Sequence, residues 1–186
     1  MAEATAAQPN CIFCQIATKS TNNTTILHSD DKVVAFPDIS PAAIWLSSAS
    51  MEQCQPFTPP LSGTTLHTQD DKVVAFPDIS PAAVRHYLVI PAAHIPSVND
   101  LQKGAEDYSL VNHMLEVGQT LLRRDAPECQ FRFGFHRPPL NTVKHLHLHC
   151  LALPYTPRWK CVKFLSLGPV GFLEADKLLE KIKPSN

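Results

Sequence analysis

The chain lacks any apolar stretch long enough to cross a bilayer. Its apolar runs, such as Tyr87 to Ile90 and Cys150 to Leu153, fall far short of the roughly 20 residues that a span requires, so no membrane partner is expected. It also lacks an excess of charge of either sign. Sixteen Lys and Arg against 17 Asp and Glu leave a formal net charge of −1, too even a balance to grip a nucleic-acid backbone or an anionic surface. A small molecule is the more natural partner. The opening MAEATAAQPN holds an acid and no basic residue ahead of any apolar segment, unlike a secretory or organellar signal. The expectation is a soluble protein of the cytoplasm, with the nucleus also open to it, whose six cysteines stay reduced. What is present, 186 residues that are 44% hydrophobic, suffices for one core with appendages.

Residues 1–10 are small and polar and read as a disordered lead-in. The stretch 11–153 reads as the folded domain, and 154–186 as a C-terminal tail with a short helix. A direct repeat stands inside the domain: Asp30 to Ala43 and Asp70 to Ala83 are the same fourteen residues, DDKVVAFPDISPAA. Two letter-perfect copies fit a recent segmental duplication of roughly 40 residues, at 30–69 or 44–83, better than a solenoid, which repeats several times and diverges. Between the copies, Ile44 to Thr64 is rich in Ser, Thr, Pro and Gln and reads as a loop.

Each copy holds a short strand, Lys-Val-Val-Ala-Phe ended by Pro, but only the second runs on into Arg85-His86-Tyr87-Leu88-Val89-Ile90-Pro91, a second strand. The second copy is therefore the better candidate for the working sheet. Its link is shorter by about 40 residues, worth only on the order of 1 to 2 kcal/mol of closure entropy. Leu110, Met114, Val117 and Leu121 recur at helical spacing within Asp100 to Arg124, which predicts one amphipathic helix over a sheet face. Phe131 to Phe135 and His145 to Leu153 pattern as strands, and Glu174 to Ile182 as a short helix. Strands, helix, strands and tail make an α+β fold: an antiparallel sheet of about five strands with one main helix and a C-terminal helix.

The strongest chemical signal is His145-Leu146-His147-Leu148-His149-Cys150-Leu151. On a strand, alternate side chains share a face, so three imidazoles point one way while Leu146, Leu148 and Cys150 point into the core. A solvated face that happens to be rich in histidine is the bland alternative. A three-histidine zinc hydrolase is another, because H-x-H on a strand can offer two ligands to one ion. Cys11-Ile12-Phe13-Cys14 is a moderate metal signal that needs two further ligands, and two free buried thiols fit it as well.

The run of alternating histidines resembles the motif of the histidine triad superfamily, His-φ-His-φ-His-φ-φ with φ apolar. Phe76-Pro77-Asp78-Ile79-Ser80-Pro81, His86-Tyr87-Leu88-Val89-Ile90-Pro91 and His94-Ile95 are similar to further elements of its HINT-type branch, in order. Gly134-Phe135-His136-Arg137-Pro138-Pro139 with a long tail is most similar to the third subgroup of HINT-type adenosine 5′-monophosphoramidases. With one repeat copy set aside, the resemblance covers about Cys11 to Ala152.

That resemblance implies a HIT-like fold and a purine nucleotide substrate whose α-phosphate is attacked by His147. It gives His149 the proton donation or phosphate contact and makes His86 and His145 the supporting histidines. A half-buried His86 that only satisfies a core hydrogen bond is the competing view. The resemblance carries Asp78 onto the acid that binds both ribose hydroxyls, and a carboxylate suits a vicinal diol. It carries Phe13, Ile16, Phe76 and Ile79 onto the base sandwich, although Ile16 fits plain core packing equally. Thr142 matches a hydroxyl that meets phosphate or leaving group. His136 stands where many relatives have Asn, and the loop from there to the triad is shorter. Zinc, structural and not catalytic, is implied at Cys11, Cys14, His94 and His145, with no cofactor for the chemistry itself, and a homodimer is implied through the central helix and a sheet edge. The implied reaction is hydrolysis of the phosphorus–nitrogen bond of adenosine 5′-phosphoramidates and of acyl-adenylates. A related nucleotidyl hydrolase or transferase acting on dinucleoside polyphosphates, and a non-catalytic nucleotide-binding scaffold, are the alternatives. If the repeat copies compete for one place in the sheet, Phe36 and Asp38 could stand in for Phe76 and Asp78.

Overall fold

Apolar alternation on short β-rich segments, interrupted by one long helical stripe, dictates how this chain layers. The computed structural model describes residues 7–17, 28–29, 34–35, 72–78 and 80–184. A short helix α1 (Ile12–Ala17) is followed by β1 (His28–Ser29) and β2 (Val34–Ala35), then β3 (Val73–Pro77) and β4 (Ala83–Pro91). The main helix α2 (Ala105–Asp125) leads to β5 (Phe131–His136) and β6 (Leu148–Tyr155). A 3-10 helix (Arg158–Phe164), β7 (Ser166–Leu167), β8 (Val170–Glu174) and α3 (Ala175–Ile182) complete the order.

Strands β3-β4-β6-β5-β8-β7 form one sheet, antiparallel at each pairing. The fold is therefore α+β as expected, with six strands against the expected five or so. Strand β3 belongs to the second repeat copy, and its register sets Phe76 opposite Leu88 and Val74 opposite Ile90. The first copy contributes β2, which pairs with β1 in a separate small hairpin lying beside β3. Phe36, Asp38 and the linker Ile44 to Thr64 lie outside the described residues, as do 1–6 of the expected lead-in. Residues 7–10 end in a turn in which Cys11 N–H donates to Gln8 O at 3.0 Å, and Cys129, before β5, is disulfide-bonded, against the expectation that all six cysteines stay reduced.

The period of two decides which side chains meet the helix. Val73, Ala75, Val89, Leu148 and Cys150 are fully buried against the same core as Val111, Met114 and Leu122 of α2, and each large side chain so buried contributes about 1.5–3 kcal/mol. Acids in the first turn of α2, Glu106 and Asp107, and Arg123 and Arg124 in the last complement the helix dipole. On the opposite face stand His86, His149 and His136, beside a smaller cluster of Ala82, Ala83, Leu151, Phe164 and Phe172.

The tail differs from the sequence reading. Beyond its helix it builds a 3-10 turn and two strands, because β8 finds an open edge on β5, with His136 opposite Phe172. Period counting misses a strand of five residues that holds a glycine at φ 90°. Arg132 ties the tail down: its Nε donates to Glu174 Oε1 at 3.1 Å, its Nη1 to Tyr155 Oη at 2.6 Å, and its guanidinium lies 4.9 Å from the Phe172 ring centre. Gly134 permits the approach, since a Cβ there would meet Leu173 O and stand 2.6 Å from Phe172 Cε1. Replacing Gly134 with Ala is expected to push β8 off β5 and cost about 1–3 kcal/mol, read as a lower denaturant midpoint. An unchanged midpoint would mean that the tail is not seated this way.

Candidate active site

Strand β6 and the extended residues leading into it hold the three histidines, and Leu146, Leu148 and Cys150 between them are all 2% exposed or less. The alternation thus places apolar side chains in the core and leaves the imidazoles on the face away from α2. His147 Nδ1–H donates to the carbonyl of His145 at 2.7 Å. With that proton committed, the lone pair of the neutral ring lies on Nε2, the state a nucleophilic imidazole needs. Burial lowers the pKa of His147, opposed by its hydrogen bond to His145 and the charge of Asp78. The ring is therefore neutral near pH 7.

A second chain of hydrogen bonds fixes His149. Ala82 N–H donates to His86 Nδ1 at 3.2 Å, so the His86 proton sits on Nε2 and is donated to His149 Nδ1 at 2.9 Å. His149 as neutral imidazole then carries its proton on Nε2. That atom is buried with no partner among the described residues, and leaving such a donor unpaired costs about 1–3 kcal/mol. A donor held ready at such a cost suits a ligand atom. Burial moves His86 down to about 4, with Asp78 opposing and His136, Lys160 and His147 assisting. Burial, followed by the charges of neighbouring histidines, keeps His149 well below the ordinary histidine range.

Asp78 sits just beyond β3. One of its oxygens accepts from Ser80 N–H at 2.8 Å, and the other lies 3.5 Å from His86 Nε2 and 4.0 Å from His149 Nδ1. Phe13 of α1 packs edge-on to Phe76 at 5.4 Å and to His147 at 5.5 Å. Ile16 is half-buried against the same core. Ile79 lies outside the described residues. A small cleft beside His147 is lined by Ser97, His136 and Asn141 together with the apolar Pro96, Val98 and Phe135. Thr142 is exposed and is not part of that lining, whereas its neighbour Asn141 is. His136, half-buried, has its ring 4.7 Å from that of His149, and burial lowers its pKa to about 4, with His147 and Lys163 assisting.

Sequence reasoning missed Ser97, Asn141 and the two tail phenylalanines, Phe164 and Phe172, whose rings lie 5.6 and 6.2 Å from that of His149. No local pattern marks them, since they reach the site through tertiary packing.

Cys11, Cys14, His94 and His145 converge at the other end of the triad, their ligand atoms all within 4.8 Å of one another. Cys14 Sγ lies 3.2 Å from His94 Nδ1 and 3.6 Å from His145 Nδ1, and Cys11 Sγ lies 3.5 Å from His145 Nδ1. A tetrahedral zinc with usual Zn–S and Zn–N lengths sets sulfur–nitrogen edges of about 3.5 Å, so these residues fit such an ion. His145 Nε2–H donates to Pro91 O at 2.9 Å, which turns the Nδ1 lone pair toward the thiols, the outer-shell support typical of a ligating histidine. The triad imidazoles do not gather about one point among the described residues. His145 turns to the cysteines, and His147 belongs to neither cluster with ligand spacing, which is not the arrangement of a three-histidine zinc hydrolase.

Comparison with known proteins bears on the family and the fold. A family model described as scavenger mRNA decapping enzyme C-terminal binding matches residues 59–164. The bifunctional adenosine 5′-phosphosulfate phosphorylase/adenylylsulfatase HINT4 of Arabidopsis thaliana is 64% identical over 94% of this chain and 92% of its own length. The adenosine 5′-monophosphoramidase HINT3 of Mus musculus is 36% identical over 94% of this chain and 82% of its own. Among solved structures, a HIT family hydrolase from Legionella pneumophila superposes with a TM-score of 0.50 at 23% identity, over 78% of this chain and 94% of that one. That last match speaks to the fold alone. A family model spanning more than half of the chain, and close identity along nearly all of it, establish that this chain belongs to the histidine triad (HIT) superfamily.

Proposed function

We propose that the chain is an adenosine nucleotide hydrolase that opens the bond between the α-phosphorus and its leaving group through a nucleotidyl-His147 intermediate, and that it cleaves phosphorus–nitrogen bonds. The observation that carries this reading is the tautomer of His147, with Nδ1–H held by the His145 carbonyl at 2.7 Å and Nε2 left to attack phosphorus. His149 Nε2–H donates a hydrogen bond to the leaving nitrogen, which takes up its proton from solvent while His149 stays neutral. Asp78 takes the ribose hydroxyls, and Phe13 and Phe76 flank the base. Zinc at Cys11, Cys14, His94 and His145 ties α1, and with it Phe13, to the catalytic strand. When bound, the ion supplies structure, not a reacting oxygen.

A second substrate has its own support: the HINT4 relative at 64% identity is named for adenosine 5′-phosphosulfate. The two substrates differ in leaving group, amine or sulfate, and share the attack on phosphorus. The test is AMP release, followed by chromatography, when the full chain is mixed with adenosine 5′-phosphoramidate or with adenosine 5′-phosphosulfate. AMP from both is the expected result. AMP from the phosphosulfate alone overturns phosphorus–nitrogen cleavage, and nucleotide binding with no AMP from either replaces the enzyme with a scaffold.

A further inference from the structure

One peptide group links the tail to the histidines. The carbonyl of Pro81 accepts from Lys160 Nζ at 2.6 Å, and the N–H at the other end of the same amide, that of Ala82, donates to His86 Nδ1 at 3.2 Å. His86 Nε2–H in turn donates to His149 Nδ1 at 2.9 Å. Groups far apart in the chain thus stand in one head-to-tail series, ammonium to amide to imidazole to imidazole. In such a series each bond polarises the next and strengthens it by about 10–30%, and a charged donor at the head gives the strongest first link. Lys160 is placed for this by its 3-10 helix, whose Phe164 is 2% exposed and lies edge-on to His86 at 5.9 Å. The tail grips the same loop a second time, through Thr156 N–H donating to Ala82 O at 2.8 Å. A branch reaches Asp78 as well: Lys160 Nζ lies 3.4 Å from Ser80 Oγ, and Ser80 N–H donates to the Asp78 carboxylate at 2.8 Å. A lysine that only pinned the tail would need no particular carbonyl. This one takes the carbonyl whose own N–H sets the tautomer of His86.

We propose that Lys160 is a positioning residue: its ammonium, acting through the Pro81–Ala82 amide, holds the proton of His86 on Nε2 and thereby the proton of His149 on Nε2. The hydrogen-bond series stands without any substrate, and it rests on the function given above only for its effect on turnover. Take the cation away, and Ala82 N–H becomes a weaker donor that no longer reserves His86 Nδ1 as an acceptor. A His86 ring with its proton on Nδ1 presents a lone pair at Nε2. His149 then meets it only by moving its own proton to Nδ1, which leaves its Nε2 without a hydrogen to offer. The two rings are 4% and 7% exposed, so each nitrogen's state is set by its protein neighbours. Burial keeps His86 below the ordinary histidine range, Asp78 opposes this, and the charge of Lys160 is among those that assist. That bias preserves the lone pair which Ala82 N–H needs.

The experiment uses the full chain with isotopically labelled histidine ring nitrogens, so that nuclear magnetic resonance reads which nitrogen of His86 and of His149 carries the proton. Native protein is compared with Lys160→Met, Lys160→Arg and Lys163→Met, the last removing an exposed cation of the same helix. Both rings are expected to be protonated at Nε2 in the native chain and to become mixtures of tautomers in Lys160→Met. With adenosine 5′-phosphoramidate, Lys160→Met should lower kcat about tenfold and leave KM within about twofold of native. Lys160→Arg keeps a charged donor and should restore most of both, while Lys163→Met should leave tautomers and kcat within about twofold of native. Native tautomers in Lys160→Met overturn the proposal, and so does an equal effect from Lys163→Met, which would make net charge the cause. Lys160→Gln serves in place of a methionine variant that does not fold, with the same outcomes deciding. A native chain that turns over no nucleotide overturns the reaction, and the tautomers alone then decide the role of Lys160.

Discussion

His147→Ala is expected to lower the turnover of adenosine 5′-phosphoramidate by about a thousandfold or more while nucleotide affinity changes much less. The reason lies in the commitment of the ring's two nitrogens. Nδ1–H is tied to the His145 carbonyl at 2.7 Å, and Nε2 is the atom left to bond to phosphorus. Removing the ring deletes the bond-forming atom, whereas Asp78 and Phe76, proposed to meet ribose and base, stay in place. A thousandfold corresponds to about 4 kcal/mol of transition-state stabilisation, beyond what the loss of one binding contact explains. Stopped assays of AMP release, with nucleotide binding measured in parallel by calorimetry, separate the two quantities. Turnover retained in His147→Ala would move the nucleophile elsewhere.

Cys14→Ala is expected to empty the metal site and to cost about 3 kcal/mol or more of stability. Cys14 is 1% exposed and close to both His94 Nδ1, at 3.2 Å, and His145 Nδ1, at 3.6 Å. Burial raises the pKa of its thiol, so without an ion it stays protonated, and a divalent cation supplies the positive charge that draws the proton off. Loss of the ion frees α1, and Phe13 with it, from its place 5.5 Å from His147, so kcat is expected to fall as well. Metal content by mass spectrometry and thermal unfolding are the readouts. A native protein without zinc, together with a Cys14→Ala variant no weaker than an ordinary buried-thiol truncation of about 1 kcal/mol, would leave two buried thiols as the better account.

Why some of this is legible in the sequence and some is not follows from the range over which each force acts. The period of two at His145 to Leu151 and the helical stripe through Met114 and Leu121 are local signals, and the α+β layering follows from them. The continuity of the second repeat copy into β4 is also local, and it is that copy which occupies the sheet. The position of β8 on β5 depends on a glycine at 134 that leaves room for Phe172 and on Arg132 reaching Glu174, contacts across 42 residues that no window contains. From the sequence alone the tail therefore reads as a stretch with one short helix, although Phe164 and Phe172 pack beside His149. Asn141 is illegible for a similar reason, since only the course of the loop before the triad brings it to the cleft, while its neighbour Thr142 stands exposed.

The reading stands or falls on whether a nucleotide becomes covalently attached to the middle imidazole. Rapid quenching of the His149→Ala chain with adenosine 5′-phosphoramidate, followed by peptide mapping in a mass spectrometer under conditions that preserve phosphorus–nitrogen bonds, reads this directly. An adenylyl group on the peptide containing His147, absent from His147→Ala, is the predicted result. Steady AMP release with no adduct on that peptide at any quench time, or an adduct on a different residue, would contradict it.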